Sequence, residues 1–307
     1  MKGKILTIMH LRRLFLTAGF LGAIAATAAA AFAQEATPDP AEPTPAPAQT
    51  PTFMDRQYDG KFHISAAPYI WAPTIKTNIQ YTIPVTRKVN KVEGSITVPP
   101  VDYVSNINSA GMISFNARQG SVMAFGDFIY VNANASASAS SAIVGPLGHL
   151  DIPVSISTNT HLSTSVWELG VGTALAHGHD ADLNLFVAYR SFPINVNLDY
   201  SSMVGMRSVR APAGSLTDHV DTTDFVFGLQ GKAYLGDGHW MIPYYGDIGS
   251  GANNQTWEGY GGVGYTFNHG QSLVALYRGL HYYGFPSYSL VQKFDMEGPL
   301  IGYSFQL

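Results

Sequence analysis

The chain has 307 residues, enough for one large domain or two ordinary ones. Only 12 % of the residues are charged, about half the usual share in soluble proteins, whereas 31 glycines, 17 tyrosines and 16 phenylalanines are conspicuous. This composition argues against a cytosolic enzyme or a helical bundle. The balance of 17 basic and 21 acidic residues argues against a nucleic-acid partner, and the absence of cysteine excludes disulfides, thiolate metal sites and a lipidated N-terminal cysteine.

The N-terminal segment, residues 1–33, predicts a cleaved secretory signal peptide. A basic start precedes an uncharged apolar run over 14–33, which ends in small residues typical of a cleavage site. A retained transmembrane helix is the alternative, because the run is about long enough to span a bilayer. Residues 34–60 are rich in proline, alanine and threonine and predict a flexible linker, with a cell-wall contact as the alternative.

From residue 61 onward, segments of about ten residues alternate apolar with small or polar side chains, as membrane barrels do. In the segment 256–267, for example, Trp257 and Tyr265 share one strand face, whereas the other face is largely glycine and threonine. A soluble β-sandwich would carry many lysines and glutamates on its exposed face, and these segments carry few. The pattern predicts an all-β fold, a single antiparallel transmembrane β-barrel over residues 61–307.

Short turns alternate with longer polar connections, which is typical of bacterial barrels with short periplasmic turns and longer extracellular loops. The short turns lie at 118–121, 177–180, 236–239 and 268–271, and one of the longer connections spans 84–108. The alternation predicts ten strands and places both ends of the barrel in the periplasm, with eight or twelve strands left open. The predicted strands are 62–83, 109–118, 121–140, 152–176, 182–200, 221–235, 239–248, 254–267, 271–283 and 294–307.

Some strands are longer than the roughly 9–11 residues that cross a membrane. Residues 133–142 are an Ala/Ser repeat, and residues 151–160 alternate apolar and hydroxyl side chains. We predict that they extend outside the membrane as a β-ribbon, and a disordered loop is the alternative for the repeat. Residues 101–107 predict one helical turn over the rim or inside the mouth of the barrel.

Short motifs rich in glycine and aromatic residues recur along the barrel. They lie at 125–130, 227–232, 245–249, 257–267, 276–278 and 298–305. These motifs resemble small, uncharacterised outer-membrane barrel proteins of Gram-negative bacteria, OmpA-like or OmpW-like in the broad sense. The resemblance implies contact with outer-membrane lipid and lipopolysaccharide, and recognition of the C-terminal strand by the barrel-assembly machinery. Such barrels usually end in an aromatic residue, whereas this chain ends in Leu307, with Phe305 two residues earlier.

Seven charged residues within the predicted strands fall on the inward face. They are Asp127, Glu168, Arg190, Lys232, Asp247, Glu258 and Arg278. A charge facing lipid would cost about 2–4 kcal/mol at the bilayer centre, so an inward layer is expected. Side chains that pair would close the lumen, whereas hydrated ones would line a small, weakly selective pore. The near balance of acids and bases favours pairing, because selective pores usually carry rings of one sign.

The sequence also contains histidines close to serine or aspartate residues, as in the active sites of some outer-membrane enzymes. His161 and Ser163 share a strand face, as in outer-membrane lipid A deacylases. Ten strands are also the number found in omptin-type proteases. Candidates for a protease site at the outer rim are His219 with Asp218, Asp221 and Asp224, or His281 with Asp199. Such pairs arise often by chance, so the sequence predicts a non-enzymatic protein without a cofactor.

Four histidines fall in the predicted periplasmic turns: His177, His179, His239 and His269. Together they could bind a divalent metal or respond to pH. Because histidine is also common in exposed turns, no metal site is predicted. The sequence therefore predicts an outer-membrane protein with a structural or surface-contact role, and a small diffusion pore is the alternative.

Overall fold

The computed structural model describes residues 52–85, 88–144, 151–204, 209–210, 214–236, 238–267, 270–286 and 291–307. The predicted signal peptide, the linker up to residue 51 and His269 lie outside these ranges. No helix among the described residues is long and apolar enough to cross a membrane.

Nearly all described residues lie in β-strands. The two short helices are α1 (Phe53–Gln57) and α2 (Pro100–Tyr103), and a 3₁₀ turn covers Val104–Asn106. The strands are β1 (Phe62–Trp71), β2 (Thr74–Val85), β3 (Lys88–Val98), β4 (Ile107–Gln119), β5 (Val122–Val144), β6 (Asp151–His177), β7 (Ala181–Val204), β8 (Val209–Arg210), β9 (Gly214–Leu235), β10 (Trp240–Gly251), β11 (Gln255–Thr266), β12 (Ser272–Tyr283) and β13 (Val291–Gln306).

Ten strands form a closed antiparallel barrel, which confirms the predicted fold class and strand number. Around the wall they follow the order β1-β4-β5-β6-β7-β9-β10-β11-β12-β13. The barrel closes because β1 pairs on both sides: Ala66 lies opposite Phe115 of β4 and Phe305 of β13. Closure leaves these strands without a free edge, which is what allows a sheet to reside in a bilayer.

The outer face of the wall carries a belt of exposed apolar side chains. Its members include Ile70, Phe115, Phe128, Leu169, Val187, Phe225, Phe227, Ile248, Val263, Tyr277 and Ile301. Phe225 is 78 % exposed, although the next residue, Val226, is only 3 % exposed. The outward face is apolar, whereas the inward face mixes charged, small and apolar side chains, and this alternation is the period-2 pattern of a barrel in lipid.

The two ends of the barrel differ. At the turn end, short connections join β4 to β5, β6 to β7, β9 to β10 and β11 to β12. Gly120 and Gly236 adopt φ of +55° and +61° in two of these turns, a conformation that favours glycine. At the loop end, β5, β6, β7 and β9 reach 22–27 residues. Residues 133–142 pair with 153–162 without a register break, which confirms a β-ribbon there.

The first predicted strand and the first predicted loop were wrong in part. The segment 62–83 is two strands, interrupted at Ala72 and Pro73, where proline removes a ladder donor. Strand β2 continues along β13 from Thr74, and the predicted loop 84–108 contains β3, which pairs with β2. The helical turn predicted at 101–107 is confirmed as α2 and the following 3₁₀ turn. Tyr103 anchors it, because its hydroxyl donates to the carbonyl of Pro73 over 2.7 Å.

The last part of the predicted linker also differs from the expectation, because it contains α1. Its N-terminus is a capping box: the Thr52 hydroxyl accepts from the Asp55 backbone over 3.1 Å, and the Thr52 backbone donates to the Asp55 carboxylate over 2.8 Å. The pattern Thr-x-x-Asp inside a proline-rich stretch is the local signal for this helix.

Candidate functional site

Six of the seven predicted inward charges meet in one network, here called the ion-pair layer. Its centre is Arg190 on β7, which is 1 % exposed. The Arg190 guanidinium contacts the carboxylates of Glu168 at 2.5 Å, Glu258 at 2.9 Å and Asp247. One guanidinium therefore forms ion pairs with three buried carboxylates.

Arg278 on β12 extends the layer to the other side of the lumen. It lies 2.7 Å from Asp127 and 2.7 Å from Glu258, so Glu258 joins the two arginines. Two tyrosines support the acids: Tyr69 donates to Asp127 over 2.8 Å, and the Tyr245 hydroxyl lies 2.7 Å from Glu168. Phenol donors offset part of the excess of four carboxylates over two guanidiniums.

The pairs cross the interior of the barrel. Arg278 on β12 contacts Asp127 on β5, and Arg190 on β7 contacts Glu258 on β11; neither pair joins neighbouring strands. Because these contacts bridge separated parts of the wall, the side chains occupy the cross-section of the lumen. The layer is paired, as the balance of charge predicted.

Lys232, the seventh predicted residue, lies nearer the turn end and is not in the layer. Its backbone N–H donates to Asp182 over 2.9 Å, and its ammonium group lies 5.7 Å from the ring centre of Tyr234. The position follows from the sequence, because Lys232 is only a few residues before the turn at 236–239. Sequence analysis did not single out Asp182, or Arg118 and Asn184 beside it, although each is an inward polar residue near a turn.

On the loop side of the layer, the inward side chains become apolar. Phe192, two residues beyond Arg190, is 0 % exposed. Its ring centre lies 5.1 Å from that of Tyr282 and 5.3 Å from that of Phe294. This apolar core, which also contains Leu280 and Met296, is a second obstruction of the lumen. It was missed because the prediction assigned polar residues to the whole inner face.

At the turn end, α1 and the residues after it cover the mouth of the barrel. Met54 is 1 % exposed and packs with Tyr234 and Met241. The Tyr58 hydroxyl donates to Asp182 over 2.8 Å, and the ring of Tyr58 stacks on His177 at 4.3 Å. Burial raises the pKa of Tyr58, so the phenol stays protonated as a donor.

Between this cover and the ion-pair layer lies a cavity of about 340 Å³, here called the chamber. Its wall includes Ser65, Ser114, Asn116 and Gln230, and Tyr260 lies toward the layer. The chamber is large enough for a small polar solute or about ten waters at roughly 30 Å³ each. Its lining mixes hydroxyl and amide groups with aromatic and aliphatic side chains such as Met123 and Leu276, and charged groups lie at both ends.

Of the residues proposed for enzymatic sites, only Asp224 and His281 have side chains in the described part of the structure. The side chains of His161, Ser163, Asp199, Asp218, His219 and Asp221 lie outside the described part of the structure. His281 pairs with Asp295 of the neighbouring β13 over 2.8 Å and stacks on Trp257 at 3.8 Å. Asp224 is buried and accepts from Asn254 over 2.5 Å.

The three described turn histidines each have separate neighbours. His177 stacks on Tyr58, and His179 lies 3.6 Å from Asp55. His239 lies 2.7 Å from the carbonyl of Thr266. Among the residues with described side chains, only Glu168, Asp247 and Glu258 form a group with metal-ligand spacing. Arg190 already contacts all three carboxylates, so a metal ion would have to displace it.

No protein-family model and no curated protein matches the sequence. Among solved structures, the chain is similar to the outer-membrane protease OmpT of Escherichia coli, with a TM-score of 0.51 and 8 % identity over 85 % of this chain and 99 % of that one. The fold is that of a Gram-negative outer-membrane β-barrel. At 8 % identity the likeness shows the fold alone.

Two further solved structures are more distant. The translocator domain of NalP from Neisseria meningitidis has a TM-score of 0.32 and 13 % identity, over 83 % of this chain and 93 % of that one. The outer-membrane protein OpdK from Pseudomonas aeruginosa has a TM-score of 0.20 and 10 % identity, over 80 % of this chain and 99 % of that one.

Proposed function

We propose that this chain is a non-enzymatic outer-membrane protein that contributes to envelope integrity or surface contact through a barrel with a closed lumen. The observation that carries the proposal is the ion-pair layer, in which Arg190 and Arg278 bridge carboxylates across the interior. A cleaved signal peptide over residues 1–33 would deliver the chain across the inner membrane.

The belt of exposed apolar side chains supports lipid and lipopolysaccharide as the partners of the outer wall. Phe225 and Ile70, 78 % and 74 % exposed, would be unfavourable in water and favourable against acyl chains. The C-terminal strand β13 is the segment proposed to be recognised by the barrel-assembly machinery. Its pairing with β1 is the contact that closes the barrel.

Closure is supported by three successive features along the lumen. The cover formed by Met54 and Tyr58 lies at the turn end, the ion-pair layer lies near the middle, and the apolar core around Phe192 lies on the loop side. An ion crossing this path would have to separate buried charge pairs and then enter an apolar core. Conducting pores instead keep their charged rings hydrated.

The wild-type protein is expected to give no stable unitary current in planar lipid bilayers. The measurement uses refolded protein whose folded state is confirmed by its heat-dependent mobility on gels. Arg278→Ala, which removes the bridge between Asp127 and Glu258, is expected to stay silent as well, because the packing around Phe192 is unchanged. A reproducible unitary current from the wild type would contradict a closed lumen.

A small, weakly selective diffusion pore is the second candidate, and the chamber favours it. A cavity of about 340 Å³ whose lining includes hydroxyl and amide groups is the kind of space that a polar solute could occupy. If a current appears in Arg278→Ala and not in the wild type, the ion-pair layer is the gate of such a pore. That result would favour the diffusion pore over the proposed structural role.

The purified, refolded protein is expected not to hydrolyse peptides, phospholipid or lipid A. OmpT is a protease, but the present chain shares only 8 % identity with it. His281, one of the enzymatic candidates, is engaged with Asp295 and Trp257. Hydrolysis that is present in the wild type and lost in Ser163→Ala or His219→Ala would overturn the non-enzymatic assignment.

A further inference from the structure

The segment 52–60, here called the plug, contacts the barrel through side chains instead of through the sheet. The pairing of the wall starts only at Phe62, which lies opposite Gln119. Among the described contacts of the plug, Thr52 donates from its hydroxyl to the carbonyl of His179 over 3.2 Å. The wall is therefore hydrogen-bonded into a closed barrel without any contribution from the plug.

At the turn end, the barrel wall forms a pocket that binds Tyr58 of the plug. Tyr58 is held by Asp182 at 2.8 Å and Asn184 at 3.2 Å, and the Arg118 guanidinium lies 4.6 Å from its ring centre. Arg118 and Asp182 are 3 % and 0 % exposed, so these polar groups are buried beneath the phenol. A pocket of this kind recognises an aromatic side chain that carries a hydrogen-bond donor.

The apolar half of the plug fits a second pocket. Met54 is buried against Tyr234 and Met241, and the ring of Phe53 lies 5.9 Å from that of Tyr234 and 5.6 Å from that of His239. A helix of five residues is too short to persist alone in water, so α1 depends on this docking. The plug ends at Gly60, which has φ of +80° and no neighbouring atom near its Cβ position, shortly before β1 begins at Phe62.

We propose that the plug is a tethered peptide ligand of the turn-end mouth, and that its release admits small polar solutes to the chamber. Phe53 and Gln57 line the chamber from the plug side, whereas Glu258 and Arg278 line it from the layer side. The chamber also reaches the turn-end rim at Gly270 and Gln306, so removing the plug would widen its opening at that end and leave the ion-pair layer in place. The inference concerns access from the turn end and does not require a conducting lumen.

The helix cap adds a pH dependence to the plug. Hydrogen bonds from the Thr52 backbone and hydroxyl hold the pKa of the Asp55 carboxyl below its usual range. Because the pKa of Asp55 is lowered in the docked state, its ionised carboxylate stabilises docking at pH values above the ordinary pKa of an aspartate. This contribution is lost as the pH falls through the lowered pKa. The groups that face the Asp55 carboxylate are Thr52 and His179. Docking is thus supported at neutral pH.

The absence of cysteine allows a direct test. Ser114→Cys places the only thiol of the full chain in the chamber, and Val166→Cys places it on the loop side of the layer, where Val166 is 4 % exposed. Each reporter is combined with the wild-type plug, with Met54→Asp, or with Arg56→Asp as the control at an exposed position of the same helix. The modification rate by a small charged methanethiosulfonate reagent is measured by mass spectrometry on folded protein.

Met54→Asp is expected to raise the modification rate of the Ser114→Cys thiol at least tenfold, and Arg56→Asp to change it less than threefold. Tyr58→Phe, a milder change that keeps the ring, is expected to give an intermediate rate. A synthetic peptide of residues 50–60, added in excess to Met54→Asp, is expected to restore protection. The same peptide carrying Met54→Asp and Tyr58→Ala is expected not to restore it.

Equal rates at Ser114→Cys with the wild-type and the Met54→Asp plug would overturn the proposal, whether both rates are fast or both are slow. Failure of the wild-type peptide to protect would also overturn the ligand role. Modification of Val166→Cys in the wild-type background would instead indicate that the apolar core around Phe192 is open to the reagent. That result would count against the closed lumen and would not bear on the plug.

Discussion

Replacing Arg190 by methionine is expected to destabilise the folded barrel by about 3–5 kcal/mol, the cost of breaking a buried ion pair by removing one partner. The change removes the guanidinium that contacts all three of Glu168, Asp247 and Glu258, and Arg278 remains beside Glu258 alone of these three. Methionine preserves much of the side-chain volume, so the loss reports charge compensation more than packing. The measurement is urea-dependent unfolding in detergent micelles, followed by tryptophan fluorescence and by heat-dependent mobility on gels.

Lys232→Met is the matched control for this change. Lys232 also points toward the interior, yet its ammonium group lies outside the ion-pair layer, so a much smaller loss of stability is expected. Adding Glu168→Gln and Asp247→Asn to Arg190→Met should recover part of the stability, because neutral amides need no buried cation. A loss that is equal in Arg190→Met and Lys232→Met would show that the layer does not stabilise the barrel.

The composition of the layer could be predicted from the sequence, and its pairing could not. Alternation alone placed Asp127 and Arg278 on inward faces, because period-2 patterning is a local property of each strand. Their contact, 2.7 Å long, joins β12 to β5, and these strands meet only because the barrel is closed. Partner choice across a lumen depends on strand tilt and barrel diameter, which one strand's sequence does not contain.

Other features were missed for different physical reasons. Phe192 and Tyr282 follow the same alternation as the inward charges, so nothing in their strands marks the change from a polar to an apolar interior. The plug was missed because a proline-rich context predicts an extended chain, and the helix depends on docking by Met54 and Tyr58. In both cases a tertiary contact, and not a local preference, decides the structure.

Gly262→Ala is expected to destabilise the barrel by about 1–3 kcal/mol, the range for overpacking a tightly packed interior. A Cβ at this inward position would lie 2.2 Å from the carbonyl oxygen of Ala275 and 2.7 Å from the Cα of Leu276, both backbone atoms of the neighbouring β12. Because β11 and β12 are paired along their full length, that backbone can retreat only by weakening the ladder.

The adjacent glycine is the control. A Cβ at Gly261 would have the carbonyl oxygen of Pro243 as its nearest neighbour, at 3.9 Å, so Gly261→Ala is expected to be neutral or slightly stabilising. Both variants are compared by urea-dependent unfolding under the same conditions. Equal stabilities would contradict the close approach of β11 and β12. If Gly262→Ala loses much more stability than Gly261→Ala, inward glycines are needed where strands approach closely. The high glycine content would then be explained in part by close packing around a filled lumen.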